Sequence, residues 1–219
     1  MSKRKWKSNC SDEEPEKEVP QGQETEPEYC KKVGNNVYFY GDVNSKNILK
    51  LNTLLDELSV EILGRWVKFN SVGGPDRIKL FINSGGGDVF SGLSCMDHIS
   101  TLSIPVDTVI DGLAGSAATF ICMGGKKRYI RRNSIVLIHQ MSTEFWGTFE
   151  NLKDEMKNSE ALMTIITNIY KEKTQLPRKK IKEIFTREIY LTSQEAIQYD
   201  IAQEYYLKEI SFKRKKKST

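Results

Sequence analysis

The segment Leu113-Ala114-Gly115-Ser116-Ala117-Ala118-Thr119 decides the fold of this 219-residue chain, because it joins a predicted strand to a predicted helix around one hydroxyl. Residues 106–110, which include three β-branched apolar side chains, are typical of a buried strand, and residues 117–123 favour a short helix. A serine at such a turn can expose its side chain beside the N–H groups that begin the helix, which is the geometry that a serine nucleophile requires. Alternatively, Ser116 caps the helix and has no chemical role. This segment alone leaves both interpretations open.

The alternation of strand and helix continues on both sides of this segment. Further strands are predicted at 37–40, 78–82, 104–110, 127–130, 135–138 and 189–191. Helices are predicted at 48–62, after Asp88 as far as Ile99, at 149–170, after Pro177, and from the capping pair Thr192 and Glu195. This order predicts an α/β domain.

Charge is concentrated at the two ends of the chain. The formal net charge is only +4, yet residues 3–5 and 213–217 are runs of Lys and Arg. Such runs are typical of solvated tails, although a basic terminus can also bind nucleic acid or direct nuclear import. We therefore predict a disordered charged tail at 1–30, a folded domain at 31–210 and a basic tail at 211–219.

The apolar segments indicate the compartment of the protein. None is long enough to cross a bilayer, and the first residues contain no apolar signal-peptide core, so we expect a cytoplasmic protein. The four cysteines include no close pair, which favours a reducing environment, and Cys95 and Cys122 lie in apolar company that predicts burial. Two separated histidines and no cysteine pair provide no plausible metal site.

Two further features place polar groups at the ends of predicted strands. Residues 85–87 are three consecutive glycines that match neither a dinucleotide-binding motif nor a P-loop, so the backbone there either approaches a ligand closely or only turns tightly. His139 follows the strand at 135–138, where the side chains of α/β folds converge on a cleft, although a single histidine there can also be structural. Four downstream acids could orient its imidazole, namely Glu183, Glu188, Glu195 and Asp200.

Four segments together resemble the proteolytic subunit of the Clp protease, ClpP, a self-compartmentalising serine peptidase. They are residues 81–87 (Phe-Ile-Asn-Ser-Gly-Gly-Gly), 112–117 (Gly-Leu-Ala-Gly-Ser-Ala), 133–140 (Asn-Ser-Ile-Val-Leu-Ile-His-Gln) and 187–192 (Arg-Glu-Ile-Tyr-Leu-Thr). Their order and approximate separations also match the family. The resemblance implies that the domain at 31–210 has the ClpP/crotonase-like fold, an α/β spiral of ββα units with a protruding long helix.

The same resemblance implies a Ser-His-acid site. Ser116 would be the nucleophile and His139 the general base. Glu188 stands where the family usually has Asp. Because Glu is one methylene longer, either the backbone retreats or the hydrogen bond to His139 shifts.

The glycine loop would bind the substrate. The resemblance assigns the oxyanion hole to the N–H groups of Gly87 and Ala117, and a side chain at Gly87 would obstruct the approach of the substrate carbonyl. Gly86 and Asp88 would begin the strip that pairs with an extended peptide. Gly85 replaces the Pro that is usual in the family, which frees the loop.

The implied function is that of a serine endopeptidase that hydrolyses unfolded polypeptides without a cofactor. It would work inside homo-oligomeric, heptameric rings stacked in pairs, with no nucleic-acid or membrane partner. Because the chain has no nucleotide-binding motif, an AAA+ unfoldase ATPase would feed it protein substrates. The alternative is a catalytically weak or inactive ring subunit with a structural or docking role, which Glu188 leaves open. A related fold that uses the glycine loops for acyl-CoA chemistry is disfavoured by the pair of Ser116 and His139.

Overall fold

A computed structural model of the chain describes residues 29–69 and 74–207. Most of the predicted tail at 1–30 and the whole of the predicted tail at 211–219 lie outside the described residues. The first described strand begins at Cys30, where the predicted tail and domain meet.

The described residues form the strands and helices that the sequence predicts, in the predicted order, together with two strands that it does not predict, the first and the last. The strands are β1 (Cys30–Val33), β2 (Asn36–Phe39), β3 (Ile78–Ser84), β4 (Val106–Gly115), β5 (Lys127–Ile130), β6 (Ile135–Leu137), β7 (Tyr190–Thr192) and β8 (Glu204–Tyr205). The helices are α1 (Ser45–Phe69), α2 (Val89–Thr101), α3 (Ala118–Met123), α4 (Phe149–Lys173), α5 (Arg178–Thr186) and α6 (Ser193–Gln198).

The sheet has a parallel centre. Its main path runs β1-β2-β3-β4-β5-β8, and every neighbouring pair from β2 to β8 is parallel. Strand β6 lies off this path, parallel to β4 and antiparallel to β7. Parallel strands direct their carboxyl ends to one edge of the sheet, which is where the predicted site residues follow β3, β4 and β6.

Strand β4 is longer than predicted and joins two parts of the sheet. Its first half, from Asp107 to Ile110, pairs with β5, whereas its last three residues pair with β6. Between the halves, Gly112 adopts φ +117°, and the register with β3 shifts between Ile82 and Ser84. The glycine permits this backbone conformation, which L side chains rarely adopt. The strand can therefore leave one neighbour, turn to another and end at Ser116.

Helix α4 is the predicted protruding helix. It has 25 residues, of which only Ile166 and Tyr170 are buried, whereas α1 buries a whole apolar stripe against the sheet. Large apolar side chains of α4 are exposed, among them Phe149 and Met156. The core lies instead between the sheet and helices α1, α2 and α3, and it contains Cys95 and Cys122 as predicted.

Candidate active site

The turn at Ser116 is held in a strained conformation by bonds to its backbone. Ser116 adopts φ +50°, which costs an L residue about 1–2 kcal/mol. Its N–H donates to the carbonyl oxygen of Leu137 at 2.7 Å, and its carbonyl oxygen accepts from the N–H of Thr119 at 3.0 Å. The half-buried hydroxyl has no hydrogen-bond partner among the described residues, and the N-cap of α3 is Ala117, without a side-chain bond. The interpretation of Ser116 as a helix cap is therefore wrong.

Gly86 packs directly on this turn. A Cβ atom at position 86 would lie 2.6 Å from the carbonyl oxygen of Gly115, 2.7 Å from the Cβ of Ser116 and 3.1 Å from the nitrogen of Ala117. Gly86 also adopts φ +104°. Glycine is therefore required at this position for space and for conformation.

The neighbouring Gly87 has a different reason to be glycine. Its Cβ would fall on the carbonyl oxygen of Val43, because the two residues form a parallel bridge. The bridge bonds are the Val43 N–H to Gly86 O at 2.9 Å and the Asp88 N–H to Val43 O at 2.7 Å. That a side chain here would also obstruct a substrate carbonyl stays a prediction. Val43 carries no sequence signal for the bridge, because only its peptide groups take part.

The bridge also decides which backbone groups remain available to a peptide. The Gly86 N–H donates to the Ser84 hydroxyl oxygen at 3.1 Å, and the Asp88 carbonyl oxygen accepts from the N–H of Gly92 at 3.1 Å. Their other groups bond to the loop before α1, so neither residue has a free N–H for the predicted pairing with an extended peptide, which stays a prediction. Gly87 is the residue between them whose N–H and carbonyl both lack partners among the described residues, and it faces away from the bridge.

Asp88 has a structural task instead. Its carboxylate caps α2 by accepting from the Ser91 N–H at 2.8 Å and from the Ser91 hydroxyl at 2.5 Å. The hydrogen bond from the Ser91 hydroxyl is the main cause that lowers the pKa of Asp88 below its ordinary value. The carboxylate is therefore ionised at neutral pH, beside the glycine strip formed by residues 85–87.

His139 and Ser116 follow adjacent parallel strands. Gly115 pairs with Leu137 across β4 and β6, so Ser116 comes one residue and His139 two residues beyond that pair. Side chains at the ends of neighbouring strands share one edge of the sheet. The structure thus brings the predicted nucleophile and base to the same edge.

His139 and Glu188 come to one cleft without a bond between them. Antiparallel pairing of Leu137 with Tyr190 and Val136 with Leu191 would place His139 opposite Glu188 if the ladder continued, but it ends at Tyr190. Both residues line a cleft of about 420 Å³. The imidazole Nδ1 lies 2.6 Å from the carbonyl oxygen of Gln140, and the exposed Glu188 carboxylate has no partner among the described residues.

The three other acids that could orient the histidine are occupied elsewhere. Glu195 completes the predicted capping box with Thr192 at the start of α6, Asp200 lies 3.4 Å from Arg128, and Glu183 lies 3.3 Å from Lys180. The Thr192 N–H is the largest cause that lowers the pKa of Glu195. Of the four candidates, Glu188 alone remains near His139.

A larger cleft of about 670 Å³ opens beside Gly87 and extends along α4. Its wall is apolar at residues such as Leu162 and Ile165, while Asp88 and Glu155 supply carboxylates. Among the described residues, no Lys, Arg or His lines it. An extended substrate that reached Gly87 would therefore meet an apolar surface with acidic groups.

The described residues contain no cluster of three or more His, Cys, Asp or Glu side chains that could hold a metal ion. None of the helices in the described part of the chain is long and apolar enough to span a membrane.

Comparison with solved structures identifies the type of fold. The chain is similar to a structure of a point mutant of ClpP1 from Listeria monocytogenes, with a TM-score of 0.67 and 24% identity over 79% of this chain and 91% of that chain. The ClpP/crotonase-like fold implied by the sequence resemblance is thus confirmed.

Sequence comparisons identify the family. The family model described as Clp protease matches residues 35–207. An ATP-dependent Clp protease proteolytic subunit of Cyanophora paradoxa is 31% identical over 161 residues, which cover 73% of this chain and 83% of the relative. A protein of the same name from Deinococcus radiodurans is 29% identical over 147 residues, covering 66% and 72% respectively. The chain belongs to the Clp protease family.

Proposed function

We propose that this chain is a serine endopeptidase that hydrolyses peptide bonds in unfolded polypeptides, with Ser116 as nucleophile, His139 as general base and Glu188 as the orienting acid. Membership of the Clp protease family supports the peptidase activity. The observation that carries the serine mechanism is the strained turn at Ser116. Its hydroxyl and two N–H groups nearby in the fold, those of Gly87 and Ala117, have no hydrogen-bond partner among the described residues. Strained backbone of this kind occurs at functional sites.

In the proposed reaction, the Ser116 oxygen attacks the carbonyl carbon of the scissile bond while His139 takes the hydroxyl proton. The N–H groups of Gly87 and Ala117 stabilise the oxyanion, and the loss of one such donor typically costs about 10²–10³ in rate. His139 then gives its proton to the leaving amine. Water, deprotonated by the same imidazole, attacks the acyl-enzyme. The imidazolium then returns the proton to the Ser116 oxygen as the acyl bond breaks, and the second product leaves.

The contact of His139 with Gln140 supports its role as a base. A carbonyl oxygen only accepts hydrogen bonds, so Nδ1 at 2.6 Å is the donor, and the tautomer that fits this contact leaves Nε2 without a proton. This is the tautomer that a general base requires. Extension of the β6–β7 ladder by two residues would bring Glu188 opposite the ring, where its carboxylate could replace the Gln140 carbonyl as the partner of Nδ1.

We further propose that the protein assembles as heptameric rings stacked in pairs and receives protein substrates from an AAA+ unfoldase ATPase. The similar relatives are named ATP-dependent, whereas this chain has no nucleotide-binding motif of its own. The exposed apolar side chains of α4, including Phe149 and Met156, are a surface that a second copy would cover. The assignment to the cytoplasm and the domain boundaries at 31 and 210 remain predictions.

The second candidate is a catalytically weak or inactive ring subunit. Two observations favour it: among the described residues, neither the Ser116 hydroxyl nor the Glu188 carboxylate has a hydrogen bond to His139.

A fluorophosphonate that reacts with activated serines distinguishes the two candidates. We expect the purified assembly to be labelled at Ser116 and to cleave a short fluorogenic peptide, and the Ser116→Ala variant to lose both while it keeps its oligomeric state. A wild-type assembly that acquires no adduct on Ser116 would favour the inactive subunit. A Ser116→Ala variant that cleaves as well as wild type would show that the nucleophile is another residue.

A further inference from the structure

We propose that Tyr170, acting through Thr119, is a positioning residue that holds the Ser116 turn in its strained conformation. The inference rests on the proposed function of Ser116. Tyr170 belongs to α4, whose remaining length protrudes from the domain, and it is 2% exposed. None of the four sequence segments that resemble ClpP contains Thr119 or Tyr170.

The three residues form a chain of hydrogen bonds with one possible direction. The Thr119 hydroxyl lies 2.6 Å from the carbonyl oxygen of Ser116 and 2.5 Å from the hydroxyl of Tyr170. Because the carbonyl only accepts, the Thr119 hydroxyl donates to it, and the Tyr170 hydroxyl must then donate to Thr119. Burial raises the pKa of the Tyr170 phenol, so this donor stays protonated across the working range of a peptidase.

The bonds act on the peptide group that fixes the Ser116 side chain. The Ser116 carbonyl receives both the N–H and the hydroxyl of Thr119, and the Tyr170 hydroxyl sets the orientation of the second donor. A non-glycine residue at φ +50° persists only when its surroundings over-determine that conformation. Removal of the Tyr170 hydroxyl leaves the Thr119 oxygen buried without its donor, and its bond to Ser116 loses its fixed geometry.

The ring of Tyr170 also contacts both parts of the proposed site, the helix that follows Ser116 and the wall of the cleft that contains His139 and Glu188. Its centroid is 6.0 Å from that of Phe120, which belongs to the helix after Ser116, and 6.1 Å from that of Phe185. Phe185 lines the same cleft as His139 and Glu188. Tyr170→Phe keeps these ring contacts and removes only the hydroxyl, so it tests the hydrogen-bond chain separately from packing.

The experiment compares Tyr170→Phe, Thr119→Val and the double variant in the assembled protein, by steady-state cleavage of a short fluorogenic peptide and by the rate of fluorophosphonate labelling. We expect each single variant to lower kcat and the labelling rate by about fivefold to tenfold, the effect of one hydrogen bond, with KM within about twofold of wild type. Because the two hydroxyls act in series, the double variant should lose no more than the worse single variant. Thr119→Ser, which keeps the hydroxyl, should restore most of kcat.

The matched control is Thr108→Val. Thr108 is equally buried, and its hydroxyl donates at 2.9 Å to Cys122 at the far end of α3 rather than to the Ser116 turn. We expect it to lower the urea midpoint while kcat stays unchanged. The positioning role is overturned if Tyr170→Phe keeps the wild-type kcat and labelling rate, or if Thr108→Val lowers kcat as much as Tyr170→Phe does. It is also overturned if the loss in the double variant equals the product of the two single losses. A wild-type assembly that neither labels nor cleaves would overturn the proposed function together with this inference.

Discussion

Gly86→Ala is the substitution whose effect the structure defines best. The added Cβ would lie 2.6 Å from the Gly115 oxygen and 2.7 Å from the Ser116 Cβ. The first of these belongs to backbone, which cannot rotate away as a flexible side chain can. Relief of such overlap typically costs about 1–3 kcal/mol. The backbone conformation at φ +104° adds about 1–3 kcal/mol for an L residue. The free energy of unfolding should therefore fall by about 2–6 kcal/mol.

Activity should fall further than stability explains, because the overlap can be relieved only by movement of the Ser116 turn or of the glycine strip. A displacement of about 1 Å at a reacting group can cost about 10²-fold in rate. Urea unfolding at fixed protein concentration measures the first effect. Peptide cleavage per folded molecule, with the folded fraction taken from circular dichroism, measures the second.

Gly85→Ala is the control one residue away. A Cβ at position 85 meets no atom within 4 Å among the described residues, and the residue has no left-handed φ. Alanine there should leave cleavage unchanged and raise stability by about 0.4–1 kcal/mol, because it restricts the unfolded chain. If Gly86→Ala proved as stable and as active as Gly85→Ala, the close packing of the strip on the Ser116 turn would be refuted.

Three further predictions concern acidic residues. Glu188→Gln should lower kcat for a fluorogenic peptide by about tenfold or more, and Glu188→Asp should preserve it, since only a carboxylate stabilises the protonated His139; equal rates in all three proteins would exclude Glu188 from the mechanism. Bonds from Thr192 lower the pKa of Glu195 below its ordinary value of 4.5, so its ionised form stabilises the fold above that pH, and the stabilisation is lost as the pH falls through the lower folded value. Glu195→Gln should therefore flatten the decline of the urea midpoint below about pH 4.5, and an unchanged profile would contradict the capping bond. Glu155→Gln should lower, by up to about fivefold, the ratio of cleavage rates for a peptide with Lys and one with Leu beside the scissile bond. An unchanged ratio would show that no substrate side chain reaches Glu155.

Hydrophobic periodicity was sufficient to predict most of the elements. Strand β5 has the predicted bounds, and α4 begins at Phe149 as predicted. The pattern failed where a strand contains a glycine. The prediction ended β4 at Ile110, whereas pairing continues past Gly112 to Gly115. Strand β8 was not predicted, because a two-residue strand has no measurable period.

Within the site, the sequence predicted the residues that a motif carries and missed those that act through contacts. The places of Ser116 and His139 beside strands left a structural role open, and the resemblance to ClpP implied their roles; the structure brings both residues to one edge of the sheet. No local pattern shows that the backbone of Val43 occupies one side of the glycine strip, because that contact joins segments 44 residues apart (87 − 43). For the same reason, the link from Thr119 to Tyr170 could not be read from either segment alone.

The bridge between Val43 and Gly87 consists of peptide groups, which every residue except proline supplies in full. Substitution of the buried Val43 side chain would therefore change its packing in the core but leave the bridge intact, so an alanine scan would report the packing and not the bridge. Only proline at position 43, which lacks the N–H that donates to Gly86, or cleavage of the chain there, would release the loop that carries Gly87. A residue whose side chain packs in the core thus anchors, through its backbone, one of the two proposed oxyanion donors.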